Sequence, residues 1–279
     1  MMMSVSAGGR PMLRYQDKGL PRVVLLVLLC LLSLPGMAQT RGDALAPARL
    51  LAPTGELRVG VYEGSPTSLV LDKASGEQRG VAVALGRTLA ARLGVPVRLV
   101  RFDRVAQIID ALKAETVDMT FTNASAARAL EVDFTQPLIQ LELGLLVSQQ
   151  SPIRQFVDAD RSGVRIGVSQ GSSSQASLGR SLKQATVVPV ASMGLVRQRL
   201  LAGELEAFAT NKGILFELNE HLSGFKVLED RWGLENLAIA IPKGRADALP
   251  FLNAFALEQQ QNGNTAEFAR WAGLRGLAR

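Results

Sequence analysis

The segment GVAVALGRTLAARLGVPVRLVRF, residues 80–102, decides the fold class, because a helix pattern is followed directly by a strand pattern. Its first part spaces apolar residues three and four positions apart and stops at Gly94, as an amphipathic helix does. Its second part is short and rich in valine and leucine, which favours a buried strand. A strand pattern precedes the segment at 57–62, and helix and strand patterns follow at 105–115 and 116–122. This alternation predicts an α/β fold with a mostly parallel sheet covered by helices.

The alternation is interrupted twice, and the interruptions predict two lobes. Extended runs without an intervening helix cover residues 137–148 and 236–242, and a second series of strand and helix patterns lies between them. We therefore predict that residues 55–140 and 237–279 form lobe 1, that residues 141–236 form lobe 2, and that two hinge strands join the lobes. In open α/β sheets, ligands bind beyond the carboxyl ends of the strands, so the loops at those ends are the candidate site.

Residues 1–38 have the organisation of a secretory signal peptide. Basic residues precede the apolar run VVLLVLLCLLSLP, and small residues before position 39 suit cleavage after Ala38. The run is shorter than the roughly 18 to 20 residues that span a bilayer, which disfavours the alternative of a membrane anchor. We expect export to the periplasm, followed by a polar lead-in over residues 39–54.

Composition excludes several classes of function. The chain has 279 residues and a formal net charge of +6, and the predicted signal peptide contains four of its basic residues and one acid, so the mature charge is about +3. These charges form no run that would indicate nucleic-acid binding. Cys30 is the only cysteine and His221 the only histidine, which argues against a thiol nucleophile, a disulfide, a His-based serine triad and a multi-His zinc site. Nucleotide-binding glycine motifs are also missing from the sequence, so we expect no nucleotide cofactor or other cofactor. The single cysteine and single histidine lead us to expect no metal.

The order of segments resembles a known family, the type II periplasmic solute-binding proteins of the amino-acid family (family 3), which serve ATP-driven importers. The resemblance covers roughly residues 55–275. It rests on these segments in sequence: LRVGV, GVAVALGRTLAARLG, VDMTFTNASAARALEVDFTQPL, RIGVSQGSSS, GELEAFATNKGIL, NLAIAIPKG and ARWAGL. The resemblance implies a two-lobed receptor that closes on its ligand.

In lobe 1, the resemblance implies that Arg128 binds the carboxylate of a ligand. A planar guanidinium matches a carboxylate with two parallel hydrogen bonds. Thr122 and Asn123 stand where the family places polar ligand contacts. The alternative from the residues alone is a surface arginine paired with Glu131, and the spacing from Asp118 to Arg128 is about two residues shorter than is usual in the family.

In lobe 2, Ser172 and Ser173 begin a predicted helix after a strand, where hydroxyl and backbone N–H groups can receive an anionic group. The alternative is that a serine only caps the helix. Asn211 stands where family members that bind α-amino acids carry an aspartate for the ammonium group. Either another acid replaces it, with Glu63 as the candidate, or the ligand is not a standard α-amino acid. Asn211 as a simple helix cap is the third alternative.

The loop after the first strand supplies the remaining candidates. The family usually has an aromatic platform there, and this chain offers only Tyr62, followed by Glu63 and by Ser65 among other small residues. This composition favours a small or polar ligand. Tyr62 as a core residue at the strand end is the alternative.

The function implied by the resemblance is that of a monomeric periplasmic receptor. It would capture a small carboxylate-bearing solute, such as an amino acid or a related organic acid, and deliver it to the permease of an ABC importer. The first alternative is an enzyme on the same fold, similar to cyclohexadienyl dehydratase, which would need a buried acid with a shifted pKa in the cleft. The second is a ligand-sensing partner of a membrane receptor.

Overall fold

The strand and helix patterns around residues 80–102 form the elements that they predict. The computed structural model describes residues 47–72 and 74–278. The strands are β1 (Leu57–Tyr62), β2 (Val70–Leu71), β3 (Gln78–Arg79), β4 (Val97–Phe102), β5 (Thr120–Asn123), β6 (Val132–Phe134), β7 (Ile139–Ser148), β8 (Arg165–Ser169), β9 (Thr186–Val190), β10 (Ala207–Asn211), β11 (Phe225–Val227) and β12 (Gly233–Pro242). The helices are α1 (Val81–Leu93), α2 (Val105–Lys113), α3 (Ala126–Ala129), α4 (Ser173–Ser181), α5 (Met193–Leu201), α6 (Lys212–Asn219), α7 (Leu249–Gln261) and α8 (Asn264–Trp271), with 3₁₀ turns at Phe156–Ala159 and Ala246–Ala248. The α/β class is confirmed.

Parallel pairing is concentrated within the two lobes. In lobe 1, β1 pairs in parallel with β4, and in lobe 2, β8 pairs in parallel with β9 and β10. Strands β7 and β12 instead form antiparallel pairs with each other and with their neighbours, in the order β5-β12-β7-β10-β8-β9. The two long strands therefore connect the lobes through one continuous sheet.

Hydrophobic clusters cover both faces of the sheet in each lobe. In lobe 1, the larger cluster packs α1 and the C-terminal helices α7 and α8 against the strands, and a smaller one lies under α2. In lobe 2, one cluster includes Leu178 of α4 and another includes residues of α5 and α6. Residues 47–51 of the predicted lead-in are helical, and Leu51 is fully buried in the larger lobe 1 cluster. That part of the lead-in therefore belongs to the folded core.

The second hinge strand begins earlier than its sequence pattern predicts. The extended run was expected from residue 236, whereas β12 begins at Gly233 and its first five residues pair with β7 from Leu143 to Ile139. Glu235 and Asn236 interrupt the apolar pattern, but hydrogen bonding to β7 keeps them in the strand. Glu235 is thereby held on a hinge strand at the edge of the cleft.

The C-terminal segment, residues 274–278, lies across β7. Leu277 pairs with Leu141, Ala278 N–H donates to Gln140 O at 2.9 Å, and Gly276 O accepts from Glu142 N–H at 2.9 Å. Gly276 has φ +80°, and a Cβ there would lie 2.5 Å from the Cβ of Lys212, the first residue of α6. Glycine at 276 thus allows the segment to contact lobe 2 beside the hinge.

We expect Gly276→Ala to destabilise the protein more than Gly224→Ala. Both glycines have positive φ, +80° and +83°, but a Cβ at Gly224 would meet nothing within 4 Å. Both variants place an alanine at positive φ and so share the backbone strain. The difference between their free energies of unfolding therefore measures the clash with Lys212, which we expect to cost about 1–3 kcal/mol. Differential scanning calorimetry should give a melting temperature lower by roughly 2–4 °C per kcal/mol for Gly276→Ala. Equal melting temperatures would contradict the described contact.

Several predictions concern residues outside the described part of the chain. The predicted signal peptide, residues 1–38, and residues 39–46 of the lead-in lie there. Among the described helices, none combines the length and the apolar character needed to cross a membrane. The lobe boundaries remain predictions.

Candidate functional site

A cavity of about 40 Å³ lies between the lobes where the strands end. It is lined from lobe 1 by the end of β1, by β5 and by α3, and from lobe 2 by the loop after β8, the start of α4 and the end of β10. At about 10–15 Å³ for each water position, it has room for roughly three waters.

Arg128 projects into this cavity and is only 9% exposed. Ser125 caps the four-residue helix α3 by accepting from the Arg128 N–H, and the Arg128 guanidinium donates to Thr122 Oγ1 at 2.8 Å and to Asn123 O at 3.3 Å. Burial lowers the pKa of Arg128, while the charge of Glu235 opposes that lowering. An arginine nevertheless keeps its proton in proteins. The result is a fixed buried cation.

The pairing of Arg128 with Glu131 that the sequence left open is not formed. Glu131 instead forms an ion pair with Lys113 at 3.1 Å. Within residues 47–72 and 74–278, no carboxylate lies within 4.0 Å of the Arg128 guanidinium. Despite the short spacing from Asp118, Arg128 lines the cleft, and no carboxylate of the described residues is bonded to it there.

Ser172 and Ser173 form different hydrogen bonds. Ser172 caps α4 by accepting from Gln175 N–H at 3.1 Å, as the simpler alternative expected, and it also lines the cavity. Ser173 Oγ accepts a hydrogen bond from Asn123 Nδ2 at 3.1 Å. Because Asn123 belongs to lobe 1 and Ser173 to lobe 2, this bond crosses the cleft.

Asn211 caps α6 and also contacts a buried acid. Its Oδ1 accepts from Ile214 N–H at 3.0 Å, and its Nδ2 donates to Glu235 Oε2 at 3.0 Å. Glu235 Oε1 accepts from Ser173 Oγ at 3.0 Å. Glu235 is 6% exposed, and this burial raises its pKa against the opposing effects of Asn211, Arg128 and Ser173. Sequence reasoning missed Glu235 because it began the hinge strand at residue 236, three residues after its observed start at Gly233.

Of the candidates from the first loop, one lines the cavity and two do not. Tyr62 lines the cavity, and desolvation raises the pKa of its hydroxyl, which hydrogen bonds with Ser65. Ser65 is fully buried behind Tyr62, with its Oγ 2.8 Å from Thr67 Oγ1. Glu63 points to an exposed surface and forms an ion pair with Arg101 at 2.9 Å. Neither Ser65 nor Glu63 lines the cavity, so Glu63 does not take the place of the missing aspartate.

A second arginine lines the same cavity. Arg104 precedes α2, and its Nε is buried without a hydrogen-bond partner in the part of the chain that the structure describes. Such orphaned buried donors are uncommon in folded proteins. No sequence pattern distinguished Arg104 from the other scattered arginines. Arg104 and Arg128 share the cavity lining with the acids Asp103 and Glu235.

Solved structures with known ligands share this fold. A putative binding component of an ABC transporter from Wolinella succinogenes, complexed with lysine, is 27% identical, with a TM-score of 0.69 over 78% of this chain and 95% of that one. An ancestral amino-acid-binding protein, a precursor of cyclohexadienyl dehydratase, is 24% identical, with a TM-score of 0.69 over 79% and 97%. A solute receptor for L-cysteine of Neisseria gonorrhoeae is 22% identical, with a TM-score of 0.72 over 84% and 99%. These neighbours confirm the two-lobed fold.

The family comparison agrees with the sequence resemblance. Residues 57–273 match the bacterial extracellular solute-binding proteins, family 3. The match begins with β1 and ends just after α8, so it includes both lobes, both hinge strands and every residue of the cavity. This chain belongs to the bacterial extracellular solute-binding proteins, family 3.

Proposed function

We propose that this protein is a periplasmic receptor that captures a small carboxylate-bearing solute between its lobes and delivers it to an ABC importer. Family membership supports binding of an extracellular solute, and the buried Arg128 supports a carboxylate. A buried cation is costly unless an anion or several acceptors solvate it. Arg128 has two acceptors and no anion within bonding distance in the described chain, so a ligand carboxylate would complete its environment.

Thr122 and Asn123 would orient the guanidinium for that carboxylate. The hydroxyl of Thr122 and the carbonyl of Asn123 both accept from Nη1, which leaves the other donors of the guanidinium for the ligand. A bidentate contact fixes both the position and the plane of a carboxylate. Arg104 would offer a second unpartnered donor to an anionic group in the same cavity.

Closure of the lobes would follow binding. Hinge strands β7 and β12 join the lobes, and the hydrogen bond from Asn123 to Ser173 spans the cleft between them. Hinge closure around a ligand is an established motion for proteins with this architecture. The closed receptor would act as a monomer that docks on the permease of its importer. Secretion through the predicted signal peptide would bring it to the periplasm.

A thermal-shift screen tests the receptor proposal. Purified protein is mixed with the standard L-amino acids, with dicarboxylic acids and with opines, and neutral amides serve as matched controls. We expect at least one compound with a free carboxylate to raise the melting temperature, because ligands that bind only the native state stabilise it. The proposal fails if amides stabilise the protein as strongly as acids, or if no acid stabilises it.

A second candidate function is catalysis, and Glu235 is the observation that favours it. A buried carboxyl with a raised pKa beside an anchoring arginine has the properties of a general acid for a carboxylate substrate. Incubation with a prephenate-like cyclic acid, followed by ultraviolet absorbance, would detect elimination of water. Turnover that Glu235→Gln abolishes would support an enzyme, whereas binding without turnover supports the receptor.

A further inference from the structure

Two glycines approach the opposite lobe across the cleft. Gly171 follows β8 in lobe 2 and has φ +73°, and a Cβ there would lie 2.6 Å from the Cβ of Ala106 in lobe 1. Gly64 follows β1 in lobe 1 and has φ +80°, and a Cβ there would lie 3.2 Å from the Cγ of Met193 in lobe 2. Carbon atoms in ordinary contact are about 3.5–4.0 Å apart. The closed cleft therefore leaves no room for a side chain at residue 171.

Neither side of the Gly171 contact can give way locally. Ala106 lies in the first turn of α2, which is packed on the lobe 1 core through the fully buried Ile108 and Leu112. The Cβ of an alanine is bonded directly to the backbone, so no change of rotamer moves it. On the other side, the Gly171 N–H donates to Gln175 Oε1 at 2.7 Å, which ties the turn to α4. A side chain at residue 171 would therefore separate the lobes.

The contact at Gly64 can give way, because methionine is unbranched and has three rotatable bonds. The Cγ of Met193 would need to move by only a few tenths of an ångström to reach an ordinary contact distance. An alanine at residue 64 is therefore compatible with the closed cleft, whereas an alanine at residue 171 is not.

A separation of the lobes at Gly171 would break the hydrogen bond that spans the cleft. Ser173, two residues after Gly171, accepts from Asn123 Nδ2 at 3.1 Å. A shift of about 1 Å between the lobes would restore an ordinary contact with Ala106, and it would lengthen this bond beyond hydrogen-bond range. Gly171 and Ala106 line a groove beside the cavity but not the cavity itself. An effect of residue 171 on affinity would therefore come from closure and not from contact with the ligand.

We propose that Gly171 sets how far the lobes close, and that it increases affinity as a positioning residue that does not touch the ligand. This inference rests on the proposed receptor function, in which the lobes close on a solute. A ligand that binds the closed form loses apparent affinity when that form is less populated. The Cβ contact with Ala106 exists only in the closed form. The backbone strain of an alanine at positive φ acts in the open and closed forms alike, so it lowers stability without changing affinity.

The affinity of Gly171→Ala tests the proposal. The probes are the standard L-amino acids and the dicarboxylic acids of the thermal-shift screen, each titrated separately by isothermal titration calorimetry. For every probe that binds wild type, we expect Gly171→Ala to bind roughly 10- to 100-fold more weakly, the range expected for overpacking a rigid contact. The matched control is Gly163→Ala, which also lies in lobe 2 at positive φ, +84°, but has nothing within 4 Å of its Cβ. It should change affinity by less than about threefold. Gly64→Ala should weaken binding less than Gly171→Ala does.

Removal of the opposing Cβ gives a readout that a purely structural role would not produce. Ala106→Gly in the Gly171→Ala background deletes the other half of the contact, so it should restore affinity to within about threefold of wild type, although a glycine in α2 lowers stability. Gly171→Asn carries the same Cβ, and asparagine tolerates positive φ better than alanine. It should therefore weaken binding as well, and it serves as the test variant if Gly171→Ala does not fold.

The outcomes separate this inference from the receptor proposal. If wild type binds a probe and Gly171→Ala binds it as tightly as Gly163→Ala does, the receptor stands and the role of Gly171 is overturned. A loss of affinity that Ala106→Gly does not rescue would also overturn it, because the loss would then arise elsewhere than at this contact. If no probe binds wild type, the receptor proposal itself fails, and the inference about Gly171 fails with it.

Discussion

Arg128→Met is expected to weaken binding of every carboxylate ligand by at least about 30-fold. Truncation of one partner in a buried charge pair costs about 2–5 kcal/mol, because the ligand carboxylate would lose its hydrogen bonds and remain desolvated. Methionine keeps much of the volume of the arginine stem. Isothermal titration calorimetry with the strongest ligand from the thermal-shift screen measures the loss.

Two control variants separate charge from geometry. Arg128→Lys keeps the charge but lacks the planar fork, so we expect an intermediate affinity. Arg161→Met removes an exposed arginine that pairs with Asp158 and lies outside the cavity lining, and it should have no effect on binding. Wild-type affinity in Arg128→Met would show that another group binds the carboxylate.

Asp118→Ala is expected to cost about 3–5 kcal/mol of stability, the range for breaking a buried ion pair. Asp118 is fully buried and accepts from Arg58 Nε at 2.8 Å and from Arg245 Nη1 at 2.9 Å. It therefore links β1 to the turn before α7. Its loss leaves Arg58 with the Glu115 carbonyl as acceptor and Arg245 with the exposed carboxylate of Glu115. At roughly 2–4 °C per kcal/mol, calorimetry should record a melting temperature about 6–20 °C lower.

Ion pairs whose side chains are more exposed than Asp118 should contribute less to stability. Glu258→Ala removes the partner of Arg92, but both side chains are more than one third exposed, so we expect a loss below about 1 kcal/mol. Asp118→Ala with no greater loss than Glu258→Ala would mean that the Asp118 cluster contributes little to the fold.

Asp118 should also contribute to stability in a pH-dependent way. Burial acts to raise its pKa, but hydrogen bonds from Arg58 and Arg245 outweigh burial, so the pKa lies below its ordinary value. A lowered pKa contributes stability above the unfolded value of about 3.9 and loses it as the pH falls through the folded value. The difference in melting temperature between wild type and Asp118→Asn should therefore be constant at neutral pH and shrink below about pH 4. A difference that grows in acid would contradict this assignment.

The regular elements were predictable because local spacing determines them. Apolar periodicity and the stop at Gly94 predicted α1, which ends at Leu93 with Gly94 in the left-handed conformation at φ 68°. The valine- and leucine-rich run after Gly94 predicted a strand, which is observed as β4, Val97–Phe102. Short elements such as β2 and β3 escaped prediction, since two residues in each strand carry no periodic signal.

The site was predictable where its residues follow strand ends. Seven of the nine sequence candidates line the cavity, because loops beyond strand ends converge there in this architecture. Glu235 escaped prediction because its contacts to Ser173 and Asn211 span 62 and 24 residues, and no local pattern reports such distances. Glu63 was a candidate for the replacement acid because it is close to Tyr62 in sequence, whereas its side chain pairs with Arg101 and is not among the residues that line the cavity.

The central claim is that Arg128 recognises a ligand carboxylate, and the most direct test removes that carboxylate from the ligand. Isothermal titration calorimetry compares the L-amino acid that most raises the melting temperature with its α-carboxamide, in wild-type protein and in Arg128→Met. We expect the carboxamide to bind wild type at least about 30-fold more weakly, and Arg128→Met to bind both ligands equally weakly. A carboxamide that binds wild-type protein as tightly as the free acid would contradict the claim.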